Sequence, residues 1–142
     1  MNECASWDEC LFKYFAVKVT TNKARIRSLL ETAEARVEFA SEIVLTDGSA
    51  NFIFEDYYTS VLEIVEALAL VNGFKIKNHI CIGYYLRDVM KRAELFRLFD
   101  DCRYKRNGLT YYGDRMDFET AKETLEKTKV LLVELKKLIK NE

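Results

Sequence analysis

Asp117-Phe118-Glu119-Thr120-Ala121-Lys122-Glu123-Thr124-Leu125-Glu126-Lys127-Thr128-Lys129-Val130-Leu131-Leu132-Val133-Glu134-Leu135-Lys136-Lys137-Leu138-Ile139-Lys140 is the stretch from which the fold can be read. Ala121, Leu125, Thr128, Leu132, Leu135 and Ile139 follow one another at steps of 4, 3, 4, 3 and 4, the period of a single helical face. Asp117 offers a carboxylate to the unpaired N–H groups of a first turn. Lys136, Lys137 and Lys140 crowd the last turn, where cations suit the negative end of the helix dipole. An amphipathic helix of this length must bury its apolar face against other elements, so the rest of the chain has to supply them.

Upstream the same period recurs. From Asn22 to about Leu45, the residues Leu30, Ala33, Val37, Ala40 and Val44 form one stripe, with Glu31, Glu34, Glu38 and Glu42 beside it. Asn51 is positioned to cap a second helix that closes at Asn72-Gly73. Between Val61 and Val71 its only polar residues are Glu63 and Glu66, which marks it as the most buried helix. Asn78 can cap a third stretch running from His79 through Ile82, Leu86 and Met90 to about Phe99, and the pattern leaves open whether 79–106 is one helix or two. Residues 11–20 read equally as a short helix or an extended arm. Turn signals stand at Asp47-Gly48-Ser49, Asn72-Gly73, Asn107-Gly108 and Gly113-Asp114. Short connections between amphipathic helices imply antiparallel neighbours. The expected fold is all-α, an up-and-down bundle of four to five helices in one domain, 1–142, with residues 1–20 leading into a bundle over 22–140.

Composition agrees. The 142 residues are 49% apolar and 32% charged, with five glycines and no proline, which excludes disordered and collagen-like chains. A net charge of −1 excludes bulk electrostatic coating of nucleic acid and restricts any such contact to a local patch. No run of 18 apolar residues occurs, so no membrane span is expected. The first residues, with Glu3, Asp8 and Glu9, lack the basic start of a secretory signal, and a cytoplasmic location is expected. Cys4, Cys10, Cys81 and Cys102 form no Cys-x-x-Cys pair, and His79 is the sole histidine, so no zinc or di-iron ligand set is spelled out. Two disulfides can be built from four cysteines, but a cytoplasmic chain keeps them as structural thiols. No Gly-rich phosphate loop occurs, so neither a metal nor another cofactor is expected. Asp100-Asp101 reads as a solvated turn before Cys102.

Charge is uneven. Residues 1–60 carry 6 basic and 10 acidic side chains, whereas residues 61–142 carry 16 and 13. The densest basic tract, Arg103-Tyr104-Lys105-Arg106, runs into Asn107-Gly108-Leu109-Thr110-Tyr111-Tyr112-Gly113. Its guanidinium forks, amide and phenols can meet phosphates, base faces and hydroxyls together. The plainer reading is a solvated helix end whose cations complement the dipole and whose tyrosines pack on neighbours. His79, directly after a cap, reads first as a helix-start residue; the sharper reading has it reach the Arg106 region from another helix or from a partner chain.

Over about residues 24–140 the chain resembles the HEPN superfamily, small helical bundles that accompany minimal nucleotidyltransferases. The resemblance rests on the long acidic-edged first helix, the buried helix from Asp56-Tyr57-Tyr58 to Leu70 closing at Asn72-Gly73, the Asn78-His79 start, and Arg106-Asn107 before the capped last helix. The family signature is an arginine, commonly followed by a polar residue, with a histidine after four to six intervening residues. Arg106 and Asn107 match its first half, but spacings of four, five and six fall on Tyr111, Tyr112 and Gly113. Active members resemble metal-independent ribonucleases in which two protomers pool Arg and His at a dimer cleft. A phenol titrates near ~10 against ~6.5 for imidazole, so Tyr111 as a base needs a shift of roughly three units, about 4 kcal/mol. The resemblance therefore implies the fold and the place of the site more than cleavage.

It further implies a homodimer, a small nucleotidyltransferase partner able to modify a tyrosine (Tyr111 and Tyr112 being nearest), and RNA or nucleotide as ligand, with no membrane. Arg106, Asn107 and Tyr111 are the candidate catalytic residues, and Arg103, Lys105 and Tyr112 the candidate nucleic-acid contacts. Three functions follow: a HEPN-like binding module of a toxin–antitoxin-type or nucleotidyltransferase-associated system, an active ribonuclease toxin of that fold, or a structural adaptor without ligand.

Overall fold

The computed structural model describes residues 4–111 and 115–141, with Thr110 and Tyr111 as backbone only. Within these the order is α1 (Trp7–Phe12), β1 (Ala16–Lys18), α2 (Lys23–Ser41), α3 (Ala50–Val71), β2 (Phe74–Ile76), α4 (His79–Tyr84), α5 (Ala93–Tyr111) and α6 (Phe118–Lys140). The fold is all-α apart from one two-stranded ribbon. Partners show the antiparallel arrangement directly. Thr21 bonds the carbonyl of Leu70, Ser60 that of Ala33, and Arg36 pairs with Glu63, so α2 descends as α3 rises. Arg92 with Glu134 and Asp101 with Lys127 do the same for α5 and α6.

The core is built around α3, whose Phe54, Tyr58, Val61, Val65 and Leu68 are almost wholly buried beneath α2, α5 and α6. Residues 61–71 thus hold the position their apolar run predicts. The apolar side chains of α3 are mostly covered within the chain, Phe52 excepted. On α6 the face read from the sequence is the buried one, through Ala121, Leu125, Thr128, Leu132 and Leu135. Asn22, Asn78 and Asp117 each cap a helix, accepting from the N–H of Arg25, Cys81 and Thr120 at 3.0, 3.0 and 2.8 Å. No helix among the described residues is long and apolar enough to cross a membrane.

Several expectations are corrected. Asn51 caps nothing: α3 begins one residue earlier, and the Asn51 side-chain oxygen accepts the Met116 N–H at 2.7 Å, tying the start of α6 to α3. The first long helix stops at Ser41, leaving Val44 in a connecting segment and 77% exposed. Asn107-Gly108 and Asp100-Asp101 are not turns but lie inside α5, where Arg103 and Lys127 neutralise the two aspartates. Gly113-Asp114 lies outside the described residues. The span 79–106 is two helices. α4 runs into a π-helical turn, Tyr85–Val89, and the chain breaks with Lys91 at φ 60° before α5 starts. Residues 1–20 are neither arm nor helix alone: α1 is followed by β1, which pairs antiparallel with β2 at Ala16↔Ile76, Val17↔Lys75 and Lys18↔Phe74. Three-residue strands are too short to show a period.

The cysteines also depart from four free thiols: Cys10 and Cys81 form a disulfide linking α1 to α4 across 71 residues of sequence, while Cys4 and Cys102 are free and buried.

Gly83 sets how closely α4 approaches α5. A Cβ there would stand 3.0 Å from two ring carbons of Phe96 and 3.3 Å from one of Phe99. Overpacking costs about 1–3 kcal/mol and the helix-propensity gain of alanine returns up to ~1 kcal/mol. Gly83→Ala should therefore lower stability by up to about 2 kcal/mol in a urea titration; a raised midpoint would contradict the tight contact.

Candidate phosphate site at Arg106

Charged and aromatic side chains from three helices meet over the buried ring of Tyr58. From α3 come Tyr58 and, one turn earlier, Glu55; His79 opens α4; Arg103 and Arg106, one turn apart, come from α5. Tyr58 is fixed by stacking between Phe54 and Phe99, at centroid distances of 5.9 Å each. Its hydroxyl lies 3.2 Å from Nδ1 of His79, and the guanidinium carbon of Arg106 lies 5.9 Å from its ring centroid. The two groups that the sequence keeps 27 positions apart therefore share one tyrosine.

The arginines differ in how their forks are occupied. Arg36 is bidentate to Glu63 at 3.1 and 3.3 Å, and Arg87 to Asp88 at 2.8 and 3.1 Å. Arg92 is bonded to Glu94 and Glu134, and Arg103 to Asp100 at 3.0 Å. At Arg106 the nearest carboxylate oxygen, from Glu55, stands 3.6 Å from Nε, an ion pair but not a hydrogen bond. Among the described residues that Nε is buried without a hydrogen-bond partner, although the side chain as a whole is 24% exposed. A buried donor without an acceptor is costly, and the exposed part of the same side chain is what an anion from outside could reach.

Electrostatics follow from the packing. Burial, reinforced by the charges of Arg106 and then Arg103, holds the His79 imidazole below its ordinary range, so it is neutral at pH 7. Burial pushes the Tyr58 phenol well above its ordinary value despite the two arginines, so it stays protonated. When His79 donates Nδ1–H to the Tyr58 oxygen, Nε2 is left as a base; when Tyr58 donates instead, Nε2 carries the proton and can only give it. The set holds a cation for an anionic oxygen and an imidazole for a proton. No metal is needed for either.

Of the sequence candidates, Arg106 and Arg103 belong to this cluster. Lys105 lies between them on α5, and its charge acts on the Cys102 thiol. Asn107 follows Arg106 on α5 and is half-buried. Tyr111 ends α5 with its side chain outside the described residues, and Tyr112 lies outside them altogether. Tyr104 is 75% exposed and packs on nothing that would bury it. Tyr58 and Glu55 were not singled out as site residues, because in sequence they are two more members of a buried helix. No local signal sets them apart, since Asp56, Tyr57, Thr59 and Ser60 stand beside them in the same helix. Among the described residues, grooves of about 490 and 300 Å³ are lined from α2, α3 and α6 by residues such as Leu30, Glu34 and Ile139, away from these groups.

No family model, curated protein or solved structure matches the chain.

Proposed function

We propose that the chain is a HEPN-like module that binds RNA or nucleotide phosphate at the Arg106 cluster, as a homodimer within a toxin–antitoxin-type or nucleotidyltransferase-associated system. The observation that carries this reading is the guanidinium of Arg106, which among the described residues has no carboxylate at hydrogen-bond distance and is 24% exposed, whereas the guanidinium groups of Arg36, Arg87, Arg92 and Arg103 are bonded to carboxylates. The sequence resemblance points to the same residue. Phe52, one turn before Glu55 and 68% exposed, offers apolar surface beside the cluster for a second copy to cover.

A second reading, metal-independent cleavage, is favoured by the position of His79. It supplies, from α4, the imidazole that the signature would place after Arg106. Its Nε2 can take the proton from a ribose 2′-hydroxyl while Arg106 holds the phosphate as charge builds on it.

Binding is tested with a labelled single-stranded RNA at several salt concentrations. Affinity should fall as salt rises, by a log–log slope of about 0.7 per phosphate contact. Arg106→Ala should weaken it about 10- to 100-fold, the worth of one charge-assisted contact of about 1.5–3 kcal/mol, and reduce the slope by about one contact. Wild-type protein that binds no RNA, or an Arg106→Ala protein with unchanged affinity and slope, would leave only the helical adaptor.

A further inference from the structure

Cys4, Cys10 and Cys81 converge on one buried point. Their sulfurs all lie within 4.8 Å of one another, and the three residues are 4%, 0% and 0% exposed. Two of them are bonded together, which leaves a single free thiol and no set of three donors for a metal ion. The free thiol is held against the disulfide by the backbone around it. The Tyr84 hydroxyl donates to the Cys4 carbonyl at 2.7 Å, Arg87 donates to the Ala5 carbonyl at 2.9 Å, and the Trp7 N–H donates to Asp88 at 2.9 Å. Residues 4–7 are thus docked on α4 and its π turn, with the third sulfur beside the bonded pair.

We propose that these three sulfurs form a thiol–disulfide exchange site in which Cys4 displaces Cys81 from Cys10. The Cys4 sulfur attacks the Cys10 sulfur, the Cys4–Cys10 bond forms as the Cys10–Cys81 bond breaks, and the electron pair leaves on the Cys81 sulfur. That sulfur takes up the proton Cys4 released. One disulfide is lost and one gained, so no oxidant or reductant enters. The direction follows from the leaving group. Cys81 sits in the first turn of a helix that runs on through the π turn to Val89, where the dipole favours a departing thiolate. Cys10 sits toward the C-terminal end of α1, where the dipole opposes one. Cys102 does not compete: it lies on α5, and burial pushes its thiol up to about 12.

The consequence is mechanical. A bond spanning 71 residues, which staples α1 to α4, is exchanged for one between residues six positions apart, and the N-terminal segment is released from the bundle. This goes beyond the phosphate site and does not depend on it.

The full-length chain, purified without reductant, is incubated at several pH values, quenched in acid, alkylated at its free thiols, digested with pepsin and mapped by mass spectrometry. Alkylation is expected to pass with time from Cys4 to Cys81, faster at higher pH, while the peptide holding Cys4 and Cys10 acquires an internal disulfide and Cys102 stays labelled. Cys4→Ser should abolish labelling at Cys81, and Cys102→Ser should leave the transfer unchanged. Label confined to Cys4 and Cys102 at every pH would overturn the proposal, and so would label appearing on Cys10 instead of Cys81.

Discussion

His79→Ala is expected to slow metal-independent RNA cleavage by about 10²–10⁴-fold, the usual worth of a positioned proton-transfer group, while changing RNA affinity by no more than a few-fold. On the proposed reading the split arises because binding and proton transfer fall to different side chains. Arg106 carries the permanent charge that would meet a phosphate, whereas His79 is neutral at pH 7 and adds little to ground-state attraction. Cleavage should rise with pH through the lowered titration of His79 and level off below neutrality, since burial and the two arginines disfavour its protonated form. The same shift acts on stability. An unfolded His79 takes its proton near ~6.5, the folded one only at lower pH, so the unfolded chain binds more protons in that window. Stability contributed by the neutral ring is complete above that window and is lost as pH falls through it, and His79→Gln should flatten this part of the curve. Tyr58→Phe keeps the stack with Phe54 and Phe99 but removes the hydroxyl 3.2 Å from Nδ1, so it should move the pH midpoint of cleavage more than its KM. Wild-type protein that leaves RNA intact under all these conditions would remove cleavage and leave binding.

How far the sequence reveals this site depends on the distance over which each signal acts. Helix periods and caps are local, so α6, α3 and the caps at Asn22, Asn78 and Asp117 are legible from a few residues each. Arg106 is legible as a residue because it stands in a dense basic tract, but its condition is not. Whether a carboxylate fills its fork depends on where Glu55, 51 positions away, is carried by α3. Asn107-Gly108 misleads for the opposite reason. Its local preference is for a turn, yet it continues α5, a helix that packs on both α3 and α6. His79 follows an N-cap, where a surface position is the simplest expectation; α4 instead turns it toward Tyr58. The β1–β2 ribbon is hidden because three-residue strands at positions 16–18 and 74–76 are recognisable only once paired.

Reduction of the Cys10–Cys81 bond is expected to cost about 4 kcal/mol, the loop-closure entropy of a 71-residue loop, and to make unfolding lose its single transition. The size follows from sequence separation; the loss of cooperativity follows from what the bond holds. α1 has six residues, too few to be stable alone, and it is retained by Trp7, whose ring meets Phe74 and Tyr85 edge-on at 5.4 and 5.2 Å. The bundle of α2, α3, α5 and α6 has its own buried core and does not need that contact to form. Trp7 is the only tryptophan, so its fluorescence reports the N-terminal segment while far-ultraviolet dichroism reports the helices. In the oxidised chain the two urea transitions should coincide. After reduction the Trp7 transition should come first, because the segment detaches in a local opening that the disulfide had made part of the global one. Reduced protein whose two transitions still coincide, with a loss below about 1 kcal/mol, would mean that packing by Trp7 and the hydrogen bonds to Asp88, Arg87 and Tyr84 hold α1 without the covalent link.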